Sequence, residues 1–136
     1  MRYLMHVRIL ITLCVAGALH ASEPALSEQF YNAIRSDNQT AVAKLLTGGA
    51  DVNTRDSRGN TPLMYASAVG SEDMMRKLLA AGADVKARNS FESTALMWCA
   101  SDLAKVRLLL DKGAGVNARS KQGFSPLFIA AAHDGN

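Results

Sequence analysis

One cysteine, one histidine, four methionines and scattered carboxylates carry whatever chemistry residues 22–136 can do. Cys99 stands between Trp98 and Ala100 in an apolar run, which reads as a small buried hydrophobe. His133 is the one histidine after His20, so a zinc or haem site would have a single Cys and a single His to draw on, fewer than the usual ligand sets need. As a general base His133 would need a nucleophile and an orienting group within reach. The nearest candidate, Ser125, lies eight residues earlier and opens an apolar run, where a helix cap is expected. Asp102 and Asp111 are separated by an apolar helical stretch and do not form a carboxylate pair. Met64, Met74, Met75 and Met97 could ligate a soft metal, but their helical spacing fits a core. Gly48-Gly49 lacks the glycine pattern and the Lys-Ser/Thr of a phosphate loop, and there is no Gly-x-Ser-x-Gly elbow. Asn38-Gln39-Thr40 has the form of a glycosylation acceptor, a three-residue pattern that also arises by chance. These residues point away from an enzyme, a metal site or a bound cofactor.

The elements that hold them begin after an N-terminal segment of another kind. Arg2 and Arg8 form a basic start, and Ile9–Leu19 is an uncharged, mostly apolar run too short to span a bilayer comfortably. Small residues follow. Residues 1–21 therefore read as a signal peptide, with cleavage expected after Ala21, so that Ser22-Glu23-Pro24 starts a polar mature chain. Ala16-Gly17-Ala18 offers a second cleavage option, and an uncleaved N-terminal anchor is the other reading of the segment. Cys14 follows Leu13, where a lipoprotein signal needs a small residue, and Arg2 and Arg8 are not adjacent as a twin-arginine signal requires. The expected location is the periplasm or outside the cell, with no membrane association after cleavage. Of 15 Lys and Arg residues two leave with the leader, and the remaining 13 against 12 Asp and Glu give a net charge of +1. Charges of both signs are interspersed, without the basic stripe of a nucleic-acid binder. No nucleic-acid partner is expected.

The remainder repeats itself. Gly49-Ala50-Asp51-Val52-Asn53, Gly82-Ala83-Asp84-Val85-Lys86 and Gly113-Ala114-Gly115-Val116-Asn117 are near copies, 33 and 31 residues apart. Thr61, Thr94 and Ser125 keep the same spacings, and so do Leu45, Leu78 and Leu109. A fixed period in this range signals a repeat architecture. Thr61 is a good N-cap, Pro62 suits the first helical position, and Gly70 stops the helix. Ser71 caps a second helix whose Met74, Met75, Leu78 and Leu79 form an apolar face, and Gly82 suits the left-handed position past its end. Leu79 and Leu110 are expected in the core. The third unit lacks two residues between Thr94 and Leu109, and the turn around Ser101-Asp102 is the expected place. None of these helices reaches the roughly 12–15 residues at which an isolated helix becomes marginally stable, so each must bury its face on its neighbours.

Thr61-Pro62-Leu63-Met64-Tyr65-Ala66, with Leu78-Leu79 and Gly82-Ala83-Asp84-Val85, resembles the ankyrin repeat. The resemblance covers residues 26–136 and implies an all-α, ankyrin-repeat solenoid of helix-turn-helix units joined by β-hairpin-like loops. It divides residues 22–136 into an N-terminal capping repeat at 26–55, a repeat at 56–88, a shortened repeat at 89–119 and an incomplete repeat at 120–136. The family's histidine after Thr-Pro-Leu is replaced by Met64, Met97 and Phe128, which predicts apolar packing in place of its polar network between repeats. Ala95, Glu92 and Gly115 stand where the family has Pro, Gly and Asp, so an irregular hairpin is expected in the third unit. The fourth unit stops at Asn136 before a second helix, which leaves Leu127, Phe128 and Ile129 without a following helix and suggests a fragment of a longer array, or an array completed by a partner.

What the resemblance implies of function is a non-catalytic module that binds another protein. Family members commonly hold partners at hairpin tips and along the concave face of first helices. Position by position these are Ser57, Arg58, Asn60, Ala68 and Val69, then Ser90, Phe91 and Ser93, then Lys121, Gln122 and Phe124. Phe91 and Phe124 carry most weight, because a tip has no need of aromatics to fold. Two readings stand for them: each reaches out to a partner, or each folds back on its own hairpin. Tyr65 and Trp98, also 33 apart, either pack first helix on first helix or face a partner. A second functional reading, from exported proteins that join such repeats to other domains, makes the chain the N-terminal region of a larger exported enzyme or c-type cytochrome-containing protein.

Overall fold

The computed structural model describes residues 24–134. The expected leader and its cleavage site lie outside that range. Seven helices occur among the described residues: α1 (Leu26–Arg35), α2 (Gln39–Thr47), α3 (Pro62–Val69), α4 (Glu72–Ala80), α5 (Ala95–Trp98), α6 (Leu103–Asp111) and α7 (Pro126–Asp134). Helices α1, α3, α5 and α7 pack in chain order as one layer. Helices α2, α4 and α6 pack behind their own partners as a second, with α4 against α6. This is an all-α solenoid of stacked helix-turn-helix units.

The caps set the boundaries. Thr61 accepts a bond from the Met64 amide at 3.4 Å, Ser71 from Met74 at 3.1 Å and Asn38 from Ala41 at 2.9 Å. Gly49, Gly82 and Gly113 all sit at positive φ, between 86° and 94°, where the chain turns out of each second helix. Gly70 is required for a steric reason: a Cβ there would stand 2.8 Å from the Ala66 Cα and 3.1 Å from Ile34.

Phe30, Ile34, Leu63, Met64, Met74, Met75, Leu78 and Leu109 are fully enclosed and run through the stack as one core. Each such side chain contributes about 1.5–3 kcal/mol by leaving water. Two expectations need correction. Leu79 is only partly buried and Leu110 is 39% exposed. Helix rotation encloses the first leucine of each pair, Leu78 or Leu109, and leaves the second only partly covered. The expected apolar substitution for the polar network is also only half the outcome: Met64 and Met97 are buried, but Phe128 is exposed, and hydrogen bonds between units reappear at the hairpins.

The missing pair of residues falls between Thr94 and Asp102, which is the N-cap of α6 and accepts from the Ala104 and Lys105 amides. α5 is cut to four residues against eight in α3. Lys105 occupies the place of Met74 one unit earlier. Its ammonium donates to the Ser67 and Ala66 carbonyls at 3.3 and 3.5 Å, in the last turn of α3. A cation suits that end of a helix.

Candidate functional site

The hairpins are built around Asp56, Asn89 and Ser120, which recur at the array spacing. Asp56 Oδ1 accepts from the Arg58 and Asn60 amides, both at 2.8 Å, and Oδ2 accepts from the Asn60 side chain and the Tyr65 hydroxyl. Asn89 Oδ1 accepts in the same way from Phe91 and Ser93, at 2.9 and 3.0 Å. Ser120 Oγ accepts from Phe124 at 3.2 Å. Each tip then bonds the next: Ser90 N donates to Arg58 O and Lys121 N to Phe91 O, both at 2.9 Å. The tips therefore form a continuous edge without regular strands among the described residues.

The hairpin of the third unit is not irregular. Glu92 adopts φ 57°, close to the 76° of Gly59 and the 83° of Gly123. Its amide donates to Asn89 O at 2.9 Å, as Gly59 does to Asp56 O at 3.0 Å. The closing bonds hold a glutamate where glycine is the natural residue, at a cost of about 1–2 kcal/mol.

The expected contact residues separate by exposure. Ser57, Arg58, Ala68, Val69, Ser90, Lys121 and Gln122 are exposed, and Ser93 is half-buried. Asn60 is withdrawn: it is 6% exposed, and its side chain is held by Asp56 on one side and Asn89 on the other. Phe91 is 47% and Phe124 is 42% exposed. Phe124 does not simply fold onto its hairpin. Its ring stacks on Phe128 of α7, centroids 4.9 Å apart and planes within 3°. Beside the tips, Tyr31 meets Tyr65 at 4.7 Å, and Tyr65 meets Trp98 edge-on at 6.2 Å. Tyr65 and Trp98 thus pack first helix on first helix while remaining half-buried. A cavity of about 450 Å³ continues the row, bounded by Trp98, Phe124, Phe128 and His133.

Sequence reasoning missed a column of arginines. Arg55 donates to Gly59 O and Arg88 O, Arg88 to Arg119 O, and Arg119 to Gly123 O. The signal was their 33 and 31 spacing, which repeats that of the glycines.

The electrostatics follow from these contacts. Burial raises the Asp56 carboxyl, but the bonds from Tyr65, Asn60 and Arg58 outweigh it, and the group lies below its ordinary value. Burial, then the Asp56 contact, raises the Tyr65 hydroxyl. Cys99 is buried, and burial pushes its thiol up to about 11, so it is no nucleophile near neutrality. Among the described residues no three His, Cys, Asp or Glu side chains cluster as metal ligands, and no helix is long and apolar enough to cross a membrane.

Stacked helix pairs with a bonded row of hairpin tips define a repeat scaffold that presents a surface. The family described as ankyrin repeats (3 copies) matches the chain over residues 7–89, 30–120 and 70–136, and the chain belongs to that family. No curated protein matches it.

Proposed function

We propose that the chain is a non-catalytic module that binds another protein along its hairpin tips and the neighbouring face of its first helices. Ankyrin repeats generally act through protein contacts. The observation that carries the reading here is the exposure of Phe91 and Phe124 at successive hairpins. Exposed aromatics beside polar tips are the composition of binding hot spots. Ser57, Arg58, Ser90, Lys121 and Gln122 supply a polar rim, and Ala68 and Val69 extend the surface at the end of α3. Asn60 is left out, since its side chain holds the hairpins together.

Affinity capture with the wild type, Phe91→Ala and Phe124→Ala tests the surface. Loss of a captured protein in either variant is the expected result, and unchanged capture of every partner removes these residues from the interface. Export is part of the same proposal, on the strength of the basic start, apolar run and small residues before Ser22. N-terminal sequencing of the exported protein should begin at Ser22, and an intact Met1 in the cytoplasmic fraction alone would overturn it.

A further inference from the structure

The seam between units is not the same throughout the array. In the first seam Asp51 Oδ1 accepts from the Asn53 amide at 2.9 Å, and in the second Asp84 Oδ1 accepts from Lys86 at 2.9 Å. Asn53 also fastens one seam to the next, accepting from the Asp84 amide at 2.8 Å and donating to Gly82 O at 3.2 Å. One unit on, both parts are lost together. Lys86 stands where Asn53 stood and has no acceptor to offer, and Gly115 stands where Asp51 and Asp84 stood and has no carboxylate.

A cavity of about 680 Å³ opens at this place, lined by Lys86, Arg88, Thr94, Ala114, Gly115 and Asn117. No acidic side chain lines it, and the Asp84 carboxylate nearby bonds the Lys86 amide. Thr94 is only 5% exposed, and its hydroxyl has no partner among the described residues. Two cations and a seam amide deprived of its carboxylate therefore share one opening, with the Thr94 hydroxyl enclosed beside it.

We infer that this cavity between the second and third units binds a carboxylate group, which takes the place of the side chain missing at Gly115. It is separate from the exposed hairpin aromatics and does not depend on them. Two sources share the chemistry, a free small carboxylic acid and an aspartate or glutamate side chain of a bound protein.

The test is a titration of the ¹⁵N-labelled chain followed by amide shifts, with sodium acetate and, separately, the blocked peptide acetyl-Gly-Asp-Gly-amide, against sodium chloride at matched ionic strength. Saturable shifts centred on Thr94, Gly115 and Asn117 are expected. Response to acetate but not the peptide assigns the site to small acids, and response to both makes it open to a protein side chain. Gly115→Ala should keep the response, because a Cβ there meets nothing nearer than Ala118 at 4.0 Å. Gly115→Asp supplies the carboxylate internally and should weaken acetate binding by roughly tenfold or more. No saturable shift with either probe, shifts equal to those in chloride, or a response undiminished in Gly115→Asp overturns the inference.

Discussion

The side-chain amide of Asn89 donates to the side-chain oxygen of Asn60 at 2.9 Å, joining the hairpins of two successive units inside the protein. Asn89 also closes its own tip through the Phe91 and Ser93 amides. One residue thus shapes a hairpin and locks it to its neighbour. Asn89→Ala leaves the Asn60 oxygen and two tip amides without this partner. The expected loss is about 1–3 kcal/mol by urea unfolding, the cost of an unsatisfied buried polar group. An unchanged midpoint would show that solvent replaces these bonds at no cost.

Glu92 invites the opposite experiment. Its backbone sits at φ 57° in a position filled by Gly59 and Gly123 in the flanking hairpins. Glu92→Gly should relieve the left-handed strain and stabilise the chain by roughly 1 kcal/mol. If glycine lowers the midpoint instead, the glutamate side chain makes a compensating contribution.

How much of this was readable in the sequence depends on the range of the interaction. Thr61 and Ser71 as caps, the glycines at 49, 82 and 113, and the two residues lost before Asp102 follow from local pattern, and the structure has them. The burial of Cys99 follows from its apolar neighbours. Helix rotation was less legible: Leu78-Leu79 is apolar at both positions, and only the packed partner decides which leucine is enclosed. Asn60 stands among the contact residues that the family resemblance implies for a hairpin tip. Its burial arises from Asn89, 29 residues away, a relation that appears only once the units are stacked in register. The arginines keep the 33 and 31 spacing and Gly115 stands in an aspartate's place, but the bonds of the column and the opening at Gly115 also appear only on stacking.

The leucine pairs give a direct check on that rotation. Leu78→Ala and Leu109→Ala, at fully enclosed sites, should each cost about 2–5 kcal/mol. Leu110→Ala, at a site 39% exposed, should cost less than about 1.5 kcal/mol, since much of its surface already faces water. Equal losses at Leu109 and Leu110, measured by urea unfolding, would refute this orientation of α6.

The acid response should trace to Asp56. Its folded carboxyl titrates below the ordinary 3.8, because the Tyr65, Asn60 and Arg58 bonds outweigh the opposing effect of burial. The unfolded chain therefore takes up this proton at higher pH than the folded one. The stabilisation is complete above the ordinary carboxyl value and is lost as the pH falls through the folded value. Tyr65→Phe removes one donor and moves the folded carboxyl back toward its ordinary value. Its deficit in urea midpoint should be largest at neutral pH and shrink as the pH falls below 3.8. The same pair acts on the alkaline side: burial and the Asp56 contact raise the Tyr65 hydroxyl above 10.0, so its contribution holds below that value and fades as the pH rises past it. A Tyr65→Phe deficit that is the same at neutral pH and in acid would mean the hydroxyl contributes independently of the Asp56 charge, since phenylalanine keeps the ring that packs on Tyr31 and Trp98.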